Sequence, residues 1–86
     1  MEFEFDEEKS KSNFLKHGID FVQAQDLWDD PERVFIPART TDEPRYLLIA
    51  MIGHETWSAI FTIRNETVRI ISVRRSRQNE KEIYQR

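Results

Sequence analysis

The chain contains no cysteine, so a disulfide framework and any thiolate metal centre are excluded. It has two glycines, too few for a glycine-rich phosphate loop, and neither a Walker lysine motif nor a serine-centred nucleophile elbow occurs. Its two histidines, His17 and His54, could not close a zinc site without carboxylates, and no carboxylate pair has the spacing of a metal-dependent nuclease. No apolar run approaches the roughly 18 residues of a membrane span. The N-terminus "MEFEFDEEK" is acidic where a secretion signal would be basic. These absences point to a cytoplasmic domain without membrane, metal or cofactor.

What is present suits one small folded domain spanning residues 1–86. A chain of this length buries only about 60% of the surface that it exposes unfolded, so its stability margin is modest. The formal net charge of −3 conceals an asymmetry. Residues 1–32 hold ten acids against three lysines, whereas residues 33–86 hold ten bases against six acids. Such segregation gives one surface a positive potential although the total is negative.

Periodicity orders the elements. "EFEFD" alternates as a short strand. "DEEKSKSNFLKHG" reads as a helix with Asp6 as N-cap, Glu7 and Glu8 at the positive end of the dipole, and Lys16, His17 and Gly18 closing it. "DFVQAQDLWDD" reads as a second helix: Asp20 and Gln23 form a capping-box pattern, and Pro31 ends it. "RVFIPA" is a strand whose proline belongs at a sheet edge, and "RTTDEP" is a loop. "RYLLIAMI" is apolar enough for a central strand. "GHET" and "RNET" are turns around the strands "WSAIFTI" and "VRIISV", and a helix closes the chain from about Ser76 to Gln85. The order β-α-α-β-β-β-β-α with tight connections predicts an α+β domain: two N-terminal helices and one C-terminal helix on an antiparallel sheet of four to five strands.

Chemistry concentrates in two places. Arg64, Arg69, Arg74, Arg75 and Arg77 fall within fourteen positions. Strict alternation places Arg69, Ile71, Val73 and Arg75 on one side of the last strand, and Val68, Ile70, Ser72 and Arg74 on the other. Arg74 then ends an apolar row, either paired with Glu80 or reaching a ligand. A solvated charge run and a phosphate site are both consistent with this cluster. On the first helix, Lys9, Asn13, and Lys16 or His17 form one polar stripe. It reads either as a solvated face or as a setting for proton chemistry by His17, since histidine ordinarily titrates near neutrality. His54 sits in a turn, Trp28 and Trp57 lie in core patterns, and Tyr84 either packs on the sheet or presents its hydroxyl.

Three segments in register resemble the BrnT family of bacterial toxins. The first is Phe5, Asp6, Lys9, Asn13, Lys16, His17 and Gly18, the second Arg45 with Gly53, and the third Ser72, Arg74, Glu80 and Tyr84. Phe5 stands where tryptophan is usual in the family, and Val73 and Ser76 where alanine is common. The resemblance implies a type II toxin–antitoxin toxin with a RelE-like fold, acting as an endoribonuclease. It also implies a BrnA-type antitoxin that neutralises the toxin and binds DNA on its behalf, with room for a dimer in their complex.

Metal-independent RNA cleavage needs a base for the 2′-hydroxyl proton, an acid for the leaving oxygen, and cations for the added charge. On this reading Arg74, Arg64, His17 and Lys16 are the catalytic candidates, and Lys9, Arg45, Arg69 and Arg75 hold neighbouring phosphates of the RNA. A non-catalytic RNA-binding module and a protein-interaction domain would use the same arginines. They differ from the enzyme in cleaving nothing, and from each other in salt-dependent RNA affinity.

Overall fold

The computed structural model describes the whole chain except Thr40 and Thr41, which fall in the expected "RTTDEP" loop. Strand β1 is Glu2–Glu4 and helix α1 is Glu7–His17. A 3₁₀ helix, Gln23–Asp29, takes the place of the expected second α-helix. Strands β2 (Val34–Ala38), β3 (Arg45–Ile52), β4 (Glu55–Arg64) and β5 (Thr67–Arg75) follow, and helix α2 is Gln78–Tyr84. Among the described residues no helix is long and apolar enough to cross a membrane.

Local chemistry sets the boundaries. The Asp6 carboxylate accepts the Lys9 amide at 3.1 Å, and Gly18 closes α1 at φ 78°, donating to the Phe14 carbonyl. Asp20 and Gln23 exchange side-chain and backbone hydrogen bonds at 2.7 and 2.9 Å, the reciprocal box that their spacing predicts. Asn65 and Glu66 both take positive φ, 50° and 67°, so β4 and β5 are joined by a two-residue turn of the type that matches strand twist.

The five strands lie in the order β1-β5-β4-β3-β2. The purely antiparallel sheet expected from the tight connections is corrected here: β1 runs parallel to β5, pairing Glu2–Glu4 with Thr67–Arg69, and the sheet is mixed. Alternation identifies a strand but not its partner, and tight turns constrain only strands adjacent in sequence. β2, carrying Pro37, is an edge as expected.

A second correction concerns register. Phe61 pairs with Ile70 but Ile60 pairs with Ser72, so Ile71 is an extra residue in β5. This bulge reverses the alternation beyond it. Val73 and Arg75 therefore join Val68 and Ile70 on the inner face, while Ser72 and Arg74 join Arg69 on the outer face.

The inner face carries the core. Leu48, Ala50, Trp57, Ala59, Phe61, Val68, Ile70 and Val73 pack against Ala24, Leu27 and Trp28 of the 3₁₀ helix and Ile19 and Phe21 just before it. Edge-to-face contacts link Phe3, Trp28, Phe61 and Phe35 through it, centroids 5.2–5.9 Å apart. Helix α1 contributes polar rather than apolar residues to this packing. Its buried residues are Ser10, whose hydroxyl accepts the Phe21 amide at 2.9 Å, and Asn13.

Candidate nucleic-acid site

The parallel pairing of β1 ends at Arg69, which leaves the rest of the outer edge of β5 without a neighbouring strand. Asn13 fills that place. Its amide donates to the Val73 carbonyl and to the Ile19 carbonyl, each at 2.8 Å, and its oxygen accepts the Val73 amide at 3.1 Å. One side chain thereby satisfies three buried backbone groups and fastens α1 along the edge.

A cleft of about 190 Å³ runs beside this fastening. Lys9, Ser12, Asn13, Lys16 and His17 line it from α1, and Ile71 and Ser72 line it from β5. Lys9, Lys16 and His17 are exposed, as is Ser72. The bulge at Ile71 turns Ser72 outward at this point. Two ammonium groups, an imidazole and two hydroxyls thus share one concave surface. That set can hold a phosphate diester and exchange a proton.

The arginines divide into separate environments. Arg74 grips Glu80 with two parallel bonds of 2.8 Å and also donates to the Arg75 carbonyl. Glu80 is only 6% exposed and accepts as well from the Arg77 amide at 2.8 Å and from Ser58 Oγ at 2.9 Å, while Ser58 and Ser76 share a 2.7 Å bond. Hydrogen bonds from Arg74 outweigh the effect of burial and hold the Glu80 carboxyl at about 2, and the same pairing raises Arg74. Arg74 is two residues beyond Ser72 on the same face, but its guanidinium is engaged in anchoring α2.

Arg64 also lies on the outer face, at the far end of β4. It stands six residues from Ser58, the residue opposite Arg74, which is about 20 Å along the strand. It pairs with Glu43 at 3.0 Å, and this pairing lowers the Glu43 carboxyl and raises Arg64. Arg45, at the start of β3, is within electrostatic reach of the same carboxylate. Arg69 meets Glu4 at 3.7 Å. Arg75 is on the inner side, 5.7 Å from the centre of the Trp57 ring and 3.8 Å from Glu55. The structure therefore groups Lys9, Lys16 and His17 with Ser72, commits Arg74 to Glu80 two residues beyond Ser72, pairs Arg69 with Glu4, and keeps Arg64, Arg45 and Arg75 apart.

The model of the family described as ribonuclease toxin, BrnT, of type II toxin–antitoxin systems matches residues 5–80. The chain belongs to the BrnT family. No curated protein sequence matches it. Membership establishes a ribonuclease toxin of a type II system, with an antitoxin as its partner. All three segments noted in the sequence lie at structurally distinct points of this BrnT fold. The first forms the stripe and fastening of α1, the second bounds β3, and the third couples β5 to α2. Within the third, Tyr84 donates to Asp30 at 2.6 Å, and Asp30 accepts the Met51 amide at 2.8 Å. The Tyr84 hydroxyl is pushed up to about 12 by that carboxylate. Reading the sequence missed Ser58 and Ser76, although a serine inside the apolar run "WSAIF" marks a polar contact within the sheet.

Proposed function

We propose that this toxin is a metal-independent endoribonuclease of RelE-like fold, acting in the cytoplasm and held in check by a BrnA-type antitoxin. The observation that carries the reading is the convergence of Lys9, Lys16 and His17 on exposed Ser72 at the bulged edge of β5.

In the proposed reaction the ribose 2′-oxygen attacks the adjacent phosphorus and the bond to the 5′-oxygen breaks. The products are a 2′,3′-cyclic phosphate and a 5′-hydroxyl. One group takes the 2′-proton and another supplies a proton to the leaving oxygen. His17 fills one of these roles, with Lys16 assisting, and ammonium groups stabilise the charge on the phosphoryl oxygens. Lys9 holds the phosphate at the cleft. Arg74 stands at its end as a fixed cation, and Arg69, Arg45, Arg64 and Arg75 serve more distant phosphates.

The test is cleavage of RNA by the purified chain in EDTA, beside His17→Ala and Lys16→Ala. The expected result is cyclic phosphate ends, with a loss of about 10²–10⁴ in rate for His17→Ala. Arg74→Ala strands a buried carboxylate, so the paired variant Arg74→Met/Glu80→Met is the fairer probe of Arg74. Intact RNA with a folded parent protein, or cleavage that EDTA abolishes, would overturn the proposal.

A further inference from the structure

Helix α2 and the loop before β3 cover only parts of the outer face. Under α2, Ile49 and Ser58 are fully buried, and Ser58 bonds to Glu80. At the other end Thr62 is buried and donates to the Pro44 carbonyl at 2.7 Å. Between these two covered rows runs a third, in register across four strands: Ile36 opposite Leu47, Leu47 opposite Ile60, and Ile60 opposite Ser72. Its three apolar members remain partly exposed, Leu47 and Ile60 on interior strands and Ile36 on the edge strand, and none belongs to the inner core. Ile71, also partly exposed, extends the row to the cationic cleft, whose lining includes both Ile71 and Ser72. Arg45 and Arg69 lie on this same face one row away, with Arg64 beyond them.

We infer that this strip is the docking surface for the antitoxin, and that its occupant is an acidic amphipathic helix of that protein. The inference deepens the toxin reading by assigning a surface to its partner. Strands are about 4.8 Å apart and a helix rises about 5.4 Å per turn, so anchors on successive turns match Ile36, Leu47 and Ile60. Carboxylates beside such anchors meet Arg45, Arg64 and Arg69. The ion pair that Arg69 now makes exchanges readily, because exposed ion pairs contribute little. Arg69 and Glu4 are 3.7 Å apart and partly exposed. RNA is the less suitable occupant of the floor itself, since the bases of single-stranded RNA stack on aromatic planes and the flanking arginines offer it only phosphate contacts. Here the floor is aliphatic, and the aromatic cluster of Phe3, Trp28, Phe35 and Phe61 lies on the inner face. A helix lying on the strip ends over Ser72 and covers the mouth of the cleft, which gives neutralisation a steric as well as an electrostatic basis.

The test is calorimetric titration of the full chain with its cognate antitoxin, comparing Leu47→Glu/Ile60→Glu with the parent. Binding is expected to weaken by about 100-fold or more, while RNA cleavage and the unfolding temperature stay near those of the parent. Phe14→Ser/Val22→Ser alters a different exposed apolar patch, where these residues are 48% and 62% exposed, and is expected to bind like the parent. Loss of binding in that variant with retention in Leu47→Glu/Ile60→Glu overturns the inference. So does loss of RNA cleavage with full antitoxin binding in Leu47→Glu/Ile60→Glu, which would assign the strip to substrate. If the double glutamate variant fails to fold, Leu47→Ala/Ile60→Ala is expected to bind about tenfold more weakly, and unchanged affinity overturns the inference. A parent that binds antitoxin but leaves RNA intact defeats the enzyme reading and leaves the dock standing.

Discussion

Replacing Glu80 by glutamine tests whether the arginine at the end of β5 is chiefly an anchor. Glu80 is 6% exposed and receives four hydrogen bonds, two from Arg74 and one each from Arg77 and Ser58. Glutamine keeps the shape but turns one acceptor into a donor facing a guanidinium, and it removes the counter-charge. Removing one partner of a buried pair costs about 3–5 kcal/mol. Arg74 is 29% exposed along its side chain and recovers some hydration, so about 2–3 kcal/mol is expected here.

The carboxyl's descent from 4.5 to about 2 leads to a similar figure. At 1.36 kcal/mol per unit it amounts to roughly 3 kcal/mol before allowance for screening. A domain of this length has about 4–13 kcal/mol in total, and the unfolding temperature should fall by roughly 10–20 °C. The folded carboxyl titrates below the unfolded one, so its contribution is fully present above about 4.5 and is lost as pH falls towards 2. The gap between parent and Glu80→Gln, followed by circular dichroism in urea, should therefore be full at pH 7. It should narrow below pH 4.5 and close near pH 2. A variant within about 0.5 kcal/mol of the parent at pH 7, or a gap indifferent to acid, would refute the reasoning.

Asn13→Ala leaves three backbone groups at the β5 edge unsatisfied; a loss of about 2–4 kcal/mol is expected, with faster hydrogen exchange at the Val73 amide. Tyr84→Phe removes the bond to Asp30 and should destabilise by about 1 kcal/mol in urea titrations. In the parent, tyrosinate absorbance should show one group titrating near 12, and the stability from this bond is present below about 10 and fades as pH rises towards 12. Glu66 holds a left-handed φ of 67° in the β4–β5 turn. Glu66→Gly should raise stability by about 0.5–1 kcal/mol, read as a higher unfolding temperature, because asparagine–glycine is the preferred pair for this turn.

The candidate cleft was half legible from sequence. Lys9, Asn13, Lys16 and His17 share a stripe by helical spacing, a local property that any helix at those positions must express. Their opposite wall was not legible. The bulge at Ile71 arises from how β5 meets β4, and a single extra residue reverses which side chains point outward. The grouping of Arg64 with Arg74 failed for a related reason. Closeness across a hairpin turn in sequence does not fix position along the strands, and here the two stand about 20 Å apart.

By itself the sequence determined the order of the elements, the Asp6 and Gly18 caps of α1, the Asp20–Gln23 box, the edge position of the proline strand, and the family to which the chain belongs. Each of these rests on short-range spacing, or on motifs whose order survives without coordinates. Only the tertiary structure decided that β1 lies parallel beside β5 and stops at Arg69, so that Asn13 takes over the open edge. It alone committed Arg74 to Glu80 and set Ser72 beside the lysines and histidine of α1. Those outcomes depend on pairings between residues as far apart as Glu2 and Thr67. A backbone donor or acceptor left buried by one strand must find whatever partner the rest of the fold brings to it.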